Sequence, residues 1–272
     1  MTHQQESGRA IARDGAALHY TLHGKGRLGL PRIVLVHSLG MSEAVWEGVV
    51  ERLVPQACVL TYDCRGHGLS AKPPGPYRLE QFANDLNDLL THVGWSSAYV
   101  AGASLGGSVA LQCAILYPGR VQGLGLIDTT AWYGPEAKER WEWRAREAEE
   151  KGLPSLIEFQ LSRWFSDEFR QKNPEAVARC RAIFLANDVA SFAASCRMLG
   201  DFDLRARLAG IRCPTVIVVG EEDYATPPEM ARVLESGIAG AILKIIPKAR
   251  HLTFVEHPAV IAELLSQLVQ MS

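Results

Sequence analysis

The stretch AGASLGGSVA (residues 101–110) places Ser104 between Gly102 and Gly106 in the pattern G-x-S-x-G. The apolar run SAYVAGA precedes it, as a buried strand would, and SVALQCAILYP follows it with the composition of a helix. A strand–turn–helix context is the one in which a serine sits on a sharp turn with its hydroxyl presented to a ligand. The glycines let such a turn pack tightly against neighbouring backbone. We therefore interpret Ser104 as a nucleophile rather than a small residue at an ordinary turn.

Runs rich in Val, Ile and Leu recur along the chain and are apolar throughout, which is typical of strands buried on both faces of a parallel sheet. Segments with helical periodicity lie between them, and Asp14-Gly15 suits a hairpin turn at an antiparallel edge. The pattern predicts an α/β fold with a doubly wound, mostly parallel sheet, whose ligands bind beyond the carboxyl ends of the strands. The runs are PRIVLVHS (31–38), ACVLTYD (57–63), SAYVAGAS (97–104), QGLGLIDT (122–129), PTVIVVGEED (214–223) and AILKIIP (241–247).

The alternation of strand and helix stops between about Ala131 and Leu204, where no strand-like run occurs. This predicts a helical insertion at 131–205, between a first part of the core at 1–130 and a second part at 206–272. The insertion is rich in aromatic residues, which favours a lid over an apolar pocket. These are Trp132, Tyr133, Trp141, Trp143, Trp164 and Phe165.

The composition limits the possible partners. The chain has 272 residues and a formal net charge of -2, which offers no electrostatic case for nucleic acid or an anionic membrane surface. We expect a small-molecule ligand, a cytoplasmic location, and no membrane segment or secretory signal. The six cysteines form no C-x-x-C pair, so reduced thiols are expected, with no metal and no cofactor. The sequence leaves open whether the chain forms a homo-oligomer.

A serine hydroxyl needs a general base, and that base needs an orienting acid. His251, in a loop after the last predicted strand, is the best-placed histidine. Asp223, which ends PTVIVVGEED, is the first choice for the acid, and Asp128 at the end of GLGLID is its rival. The oxyanion of a tetrahedral intermediate needs backbone N–H donors. We expect these from Leu105, directly after the nucleophile, and from Leu39 in the HSLG loop.

Five motifs in this order resemble the α/β-hydrolase fold family: HSLG (37–40), YDCRGHGLS (62–70), GASLGG (102–107), GEEDYATPP (220–228) and ARHLTFVEHP (249–258). The resemblance spans almost the whole chain. It implies a triad of Ser104, Asp223 and His251, in agreement with the position-by-position analysis. The resemblance also implies a structural role for the D-x-R-G-H-G turn, which contains Asp63, Arg65 and His67.

Three further segments resemble 3-oxoadipate enol-lactonases, which hydrolyse a lactone in aromatic-compound catabolism: residues 62–86, SRWFSDEF (162–169) and DFDLRARLAGIRCPT (201–215). Enol-lactonases more typically continue the histidine loop as H-L-S-N-V-E, where this chain has HLTFVE. Carbon–carbon bond hydrolases often carry Asn before the nucleophile and Trp after the histidine, where this chain has Ala103 and Leu252. Haloalkane dehalogenases need an Asp nucleophile, which Ser104 excludes.

The leading hypothesis is a serine hydrolase of a small carboxylic ester or lactone, with an enol-lactone as the first candidate. A carbon–carbon bond hydrolase and a general carboxylesterase of the same fold are the alternatives, and a small-ligand receptor of this fold is the alternative from another class. If the substrate bears a carboxylate, Arg163 beside Trp164 is the candidate to bind it, although a solvated helix face is the competing interpretation. Trp132 is the candidate pocket wall at the start of the insertion.

Overall fold

The computed structural model describes residues 5–24, 26–27 and 29–271. The strands of this part of the chain are β1 (Gln5–Ile11), β2 (Ala17–His23), β3 (Arg32–Val36), β4 (Cys58–Tyr62), β5 (Ala98–Ala103), β6 (Val121–Ile127), β7 (Thr215–Gly220) and β8 (Ile242–Ile246). They form one sheet in the order β1-β2-β4-β3-β5-β6-β7-β8. Pairing is antiparallel for β1–β2 and β2–β4 and parallel for every other neighbour. The mostly parallel α/β fold predicted from the sequence is confirmed.

The helices of the same part of the chain are α1 (Glu47–Leu53), α2 (Leu79–His92), α3 (Leu105–Leu116), α4 (Ala137–Lys151), α5 (Ile157–Trp164), α6 (Asp167–Lys172), α7 (Pro174–Leu185), α8 (Val189–Asp201), α9 (Pro228–Gly237), α10 (Thr253–Glu256) and α11 (Pro258–Gln270). Short 3₁₀ helices occupy Glu43–Trp46, Pro118–Arg120, Leu153–Leu156 and Arg205–Gly210. Helices cover both faces of the sheet: α3 packs on β3, β5 and β6, and α11 packs on β6, β7 and α1.

The hairpin at the sheet edge turns where the sequence predicts it. Gly15 adopts a φ of 87°, and the N–H of Ala12 donates to the carbonyl of Ala16 across the turn. The central strands β5 and β7 are buried at every residue, which accounts for their uninterrupted apolar composition. Because β3, β5, β6, β7 and β8 are parallel, the loops that follow their carboxyl ends lie along one edge of the sheet.

Helices α4 to α8 all lie between β6 and β7, and α4 packs along α8. We call residues 131–205 the helical insertion. No single helix of the described chain is long and apolar enough to cross a membrane; α7 and α8 pass that test only as a pair, bent by 96° at the break between them. Cys213 is partly exposed, the other five cysteines are buried, and all six are free thiols.

Candidate active site

Ser104 lies on the sharp turn between β5 and α3. Its backbone has a φ of 53° and a ψ of -114°, a positive-φ conformation that residues other than glycine rarely adopt. Its N–H donates to the carbonyl of Ile127 at 2.9 Å. The flanking glycines are required by close approach, because a Cβ at Gly102 would lie 2.0 Å from the carbonyl oxygen of Gly106. A Cβ at Gly106 would lie 2.1 Å from the carbonyl oxygen of Val36.

We expect Gly106→Ala to lower the free energy of unfolding by about 3 kcal/mol, because the backbone of β3 cannot move away from the added methyl group. Gly119→Ala is the matched control, since a Cβ there meets nothing within 4 Å. That variant should change the free energy of unfolding by less than about 1 kcal/mol. Urea denaturation of both variants measures the difference, and equal effects would contradict the packing argument.

Three buried side chains form a continuous hydrogen-bonded row at this turn. Nε2 of His251 lies 3.0 Å from Oγ of Ser104, and Nδ1 of His251 lies 2.8 Å from Oδ2 of Asp223. The carboxylate can only accept, so Nδ1 carries the proton and Nε2 is free to accept from the serine hydroxyl. Oδ1 of Asp223 accepts from the N–H groups of Ala225 and Thr226, which fixes the carboxylate in place.

Asp128 also lies at this edge of the sheet but binds different groups. Its Oδ2 accepts from the N–H of Thr253 at 3.0 Å and from the Thr253 hydroxyl at 2.7 Å, and its Oδ1 accepts from the N–H of Gly220 at 3.3 Å. Burial, and then the charge of Asp223, raise the pKa of Asp128 well above its ordinary range. Asp128 therefore joins the end of β7 to the start of α10, while Asp223 contacts the imidazole.

The two backbone donors expected for an oxyanion belong to Leu105, next to Ser104 in the chain, and to Leu39 in the loop after β3. Leu105 begins α3, so its N–H has no acceptor within the helix and lies at the positive end of the helix dipole. Leu39 lines the same cavity as Ser104. Within the described residues, neither N–H donates a hydrogen bond.

His37 holds the loop that carries Leu39. Its Nδ1 lies 2.8 Å from the carbonyl oxygen of Ser38, and its Nε2 accepts from the N–H of Cys64 at 2.9 Å. Burial lowers the pKa of His37 to about 4, so the ring is neutral at ordinary pH. A neutral ring donates through Nδ1 and accepts through Nε2, and both bonds are then satisfied.

A cavity of about 390 Å³ opens above Ser104 and His251. The helices α4 and α5 of the helical insertion contribute to its wall, and its aromatic lining consists of Tyr133, Trp141, Trp143, Phe159, Trp164 and Tyr224. The space is large enough for a small organic molecule and is mainly apolar, with polar groups concentrated at the serine and on the insertion.

Three guanidinium groups, those of Arg140, Arg144 and Arg163, also line this cavity. The guanidinium of Arg144 lies 4.4 Å from the ring centre of Trp141, and that of Arg163 lies 4.2 Å from the ring centre of Phe159. Burial lowers the pKa of both Arg144 and Arg163, because few groups replace the water lost from each cation.

None of these three arginines forms an ion pair with the described residues. Nε of Arg144 and Nε of Arg163 are buried without a hydrogen-bond partner in the same part of the chain. Arg144 and Arg163 are partly buried, and a partly desolvated cation without a counter-charge is costly unless a ligand supplies one. Glu139 adds one carboxylate to the lining, so the charged groups around the cavity are mainly cationic and suit an anionic ligand group.

The family model of the alpha/beta hydrolase fold matches residues 31–258. The chain belongs to this family. It is 30% identical over 248 residues to 3-oxoadipate enol-lactonase 2 of Acinetobacter baylyi, covering 91% of each chain. The enol-lactonase from Burkholderia xenovorans LB400 has a similar structure, with 31% identity, a TM-score of 0.92, and coverage of 97% of this chain and 100% of that one. A malate-bound thermophilic esterase from Thermogutta terrifontis is 27% identical, with a TM-score of 0.90 and 98% coverage of both chains.

The structure brings most of the predicted site residues of this alpha/beta hydrolase together, with one exception. Ser104, His251, Leu39, Arg163 and Trp164 all line the cavity. Leu105 follows the serine directly, and the carboxylate of Asp223 contacts Nδ1 of His251.

Trp132 is the exception, because it lies outside the cavity lining. Its ring is half-buried beneath the guanidinium of Arg205, which is 3.6 Å from the ring centre. The adjacent Tyr133 lines the cavity instead. A prediction from position alone could not separate two neighbouring aromatic residues that point in different directions.

The three named residues of the D-x-R-G-H-G turn, Asp63, Arg65 and His67, are buried. Arg65 donates to both carboxylate oxygens of Asp85 at 2.6 Å, and Asp63 accepts from the N–H groups of Glu43 and Leu69. None of the three motif residues is among those lining the cavity, as far as the described chain extends. Their contacts fit the structural role that the family resemblance implies.

Arg140, Arg144 and Phe159 line the cavity but are not among the site residues predicted from the sequence. A signal was present in RWEWR (140–144), because residues four apart lie on one face of a helix. The two arginines that begin and end this stretch thus point the same way, together with Trp141. Without the position of the insertion over the sheet, the same pattern also fits a solvated face.

Proposed function

We propose that this alpha/beta hydrolase cleaves a small carboxylic ester or lactone that carries a carboxylate, through an acyl-enzyme on Ser104. The observation that carries the proposal is the row from Ser104 through His251 to Asp223 at the floor of a cavity of about 390 Å³. Similarity to enol-lactonases over nearly the whole chain supports the same reaction class. The first candidate substrate is an enol-lactone of the type that those relatives are named for.

In the first half of the reaction, Oγ of Ser104 attacks the carbonyl carbon while Nε2 of His251 takes the hydroxyl proton. The carbonyl oxygen becomes an oxyanion and accepts from the N–H groups of Leu39 and Leu105, each worth about 3 to 4 kcal/mol in the transition state. Asp223 stabilises the imidazolium that forms. The imidazolium then donates its proton to the leaving oxygen as the carbon–oxygen bond breaks.

In the second half, water attacks the acyl carbon and His251 takes a proton from it. The bond to Oγ breaks, and the imidazolium returns a proton to Ser104. For a lactone, both halves of the substrate stay on one molecule. Overall one water is consumed and a single acid is released, as a keto acid when the leaving group is an enol that tautomerises.

The arginines of the insertion are proposed to bind the substrate carboxylate. Arg144 and Arg163 line the same cavity as Ser104, without ion-pair partners in the part of the chain that is described. Charge-assisted bonds from guanidinium groups to a carboxylate would offset the cost of keeping these cations away from water. The helical insertion would then act as a lid that holds the anionic end of the substrate while the sheet edge supplies the nucleophile.

We expect Arg144→Met and Arg163→Met each to raise KM for a carboxylate-bearing lactone by about 10- to 100-fold, because each removes a charge-assisted bond. KM for a neutral ester of similar size should change by less than about threefold, since a neutral ester forms no charge-assisted bond with the arginine. Steady-state kinetics on both substrates measures the contrast. Arg146→Met is the matched control, since Arg146 lies exposed on the same helix and pairs with Glu142. Equal losses on the charged and neutral substrates would contradict carboxylate binding.

The experiment that tests the function is turnover on a panel of neutral and carboxylate-bearing esters and lactones. The proposal predicts multiple turnovers, with the highest kcat/KM on a lactone bearing a carboxylate. Preference for neutral esters would favour a general carboxylesterase. Binding without multiple turnover on any member would favour a receptor of the same fold and contradict the proposal.

A further inference from the structure

The last carbonyl groups of an α-helix have no partner within the helix. In α5 these groups are satisfied by the loop that carries the histidine. Nη1 of Arg250 donates to the carbonyl oxygen of Ser162 at 2.9 Å and to that of Phe165 at 3.0 Å. A cation at this end of a helix is also favoured by the helix dipole. Arg250 therefore caps α5 from the neighbouring loop.

Two backbone bonds continue the same contact. The N–H of His251 donates to the carbonyl oxygen of Arg163 at 3.2 Å, and the N–H of Leu252 donates to that of Trp164 at 3.0 Å. Arg163 and Trp164 are two of the residues of α5 that line the cavity. The backbone of the histidine is thus bonded directly to the backbone of the wall that a substrate would touch.

Glu256 closes this contact from the far end of the loop. Its Oε1 accepts from the N–H of Arg250 at 3.0 Å and from the N–H of Ser166 at 3.2 Å. Its Oε2 accepts from the hydroxyl of Ser166 at 2.7 Å. A single carboxylate therefore joins the start of the histidine loop to the residue that follows α5 and Phe165.

Arg250 is held tightly in this arrangement. It is 9% exposed, and Nη1 also lies 3.2 Å from Oδ1 of Asp167. Its Nε lies 3.6 Å from a carboxylate oxygen of Glu222, and its guanidinium lies 5.4 Å from the ring centre of Tyr224. Such a buried side chain with several bonds has little conformational freedom. It therefore holds the histidine loop at a fixed position relative to the end of α5.

We propose that Arg250 is a positioning residue for His251. It ties the histidine loop to the C-terminal turn of α5, so that the substrate-facing wall of the cavity sets the distance between the imidazole and Ser104. The inference rests on the proposed function, because it assigns the proton transfers to His251. A misplacement of about 1 Å at a reacting group costs about 10²-fold in rate. Arg250 acts through the histidine and does not itself line the cavity.

The test compares Arg250→Met and Arg250→Lys with the wild type on two esters of one acid, monoethyl succinate and mono-p-nitrophenyl succinate. Ethoxide needs a proton from the imidazolium to leave, whereas p-nitrophenolate does not. We expect Arg250→Met to lower kcat on the ethyl ester by about 100-fold. On the p-nitrophenyl ester, kcat should fall by only about tenfold. Arg250→Lys should recover much of the loss, because an ammonium group still donates to the carbonyls of α5.

The rate of labelling by a fluorophosphonate gives a second readout that does not depend on which ester is accepted. The reagent reacts with a serine whose proton is taken by the histidine, so labelling of Arg250→Met should slow by about tenfold or more. Arg197→Met is the control, since Arg197 pairs with Glu142 and Glu149 inside the insertion and does not contact the loop. It should label at the wild-type rate.

Unchanged labelling and unchanged ester kinetics in Arg250→Met would overturn the inference. An equal loss on the two esters, with a lowered melting temperature and normal labelling per folded molecule, would also overturn it by leaving Arg250 a purely structural role. Failure of the proposed function is a separate outcome, because it appears as activity that persists in Ser104→Ala.

Discussion

Ser104→Ala should lower kcat by about 10⁴-fold or more on any ester or lactone that the wild type hydrolyses. The variant removes the atom that forms the acyl-enzyme, while the oxyanion donors and the cavity keep their places. Binding should therefore survive, with KM or the dissociation constant of a substrate changed by less than about threefold, because Oγ contributes little to binding of the ground state. Steady-state kinetics and isothermal titration calorimetry measure the two effects.

Ser108→Ala is the matched control for this experiment. Ser108 is a second buried serine, four residues along α3, whose hydroxyl donates to the carbonyl of Ser104 at 3.5 Å. Its loss removes a hydroxyl from the same helix without touching the reacting atoms. Activity in Ser108→Ala should stay near the wild-type value. A Ser104→Ala enzyme with more than a tenth of wild-type activity would contradict the nucleophile assignment.

Asp223→Asn should lower kcat by about 10⁴-fold without a large loss of stability. Oδ1 of Asp223 accepts two backbone N–H groups, so the asparagine carbonyl oxygen takes that position and the amide NH₂ faces His251. The imidazole must then accept at Nδ1 and carry its proton on Nε2. A protonated Nε2 cannot take the proton of Ser104.

Asp128→Asn gives the contrasting result and separates the two candidate acids. Its carboxylate meets Thr253 and Gly220 rather than the imidazole. The expected change is a loss of about 1 to 3 kcal/mol in the free energy of unfolding, because a buried acceptor is replaced by a donor. Its kcat should stay within about tenfold of wild type, because the tautomer of His251 is not altered. The assignment of Asp223 is wrong if Asp128→Asn abolishes activity and Asp223→Asn does not.

Much of the fold could be predicted from the sequence because buried parallel strands have a strong local signal. The run TVIVVG appears as β7, and Asp14-Gly15 turns the first hairpin. The elbow at Ser104 could be predicted for the same reason, since the glycines, the strand before it and the helix after it are all adjacent in the chain. Motif order then pointed to Asp223 and His251, which lie far from Ser104 in sequence.

Motif order ranks Asp223 above Asp128, but the contacts of the two carboxylates could not be predicted from the sequence. Both follow the carboxyl ends of neighbouring strands, so the sequence places them at the same edge. The difference arises from where the histidine loop lies. The hydroxyl of Thr253 donates to Asp128, and the imidazole of His251, two residues earlier, contacts Asp223.

The cavity wall could not be predicted in detail, because it depends on how helices pack rather than on local pattern. Trp132 and Tyr133 are adjacent, yet only the second lines the cavity. Arg144 contributes because its face of α4 lines the cavity that contains Ser104. Hydrophobic pattern gives the existence of such helices, but the angle at which an insertion crosses the core is set by long-range contacts.

The central claim is that the hydroxyl of Ser104 is the group that becomes acylated. Reaction of the folded protein with a fluorophosphonate, followed by peptide mapping with mass spectrometry, tests it most directly. We expect one adduct per chain, on the peptide containing Ser104, and no adduct in Ser104→Ala or after denaturation. An adduct on a different residue, or labelling that persists in Ser104→Ala, would contradict it.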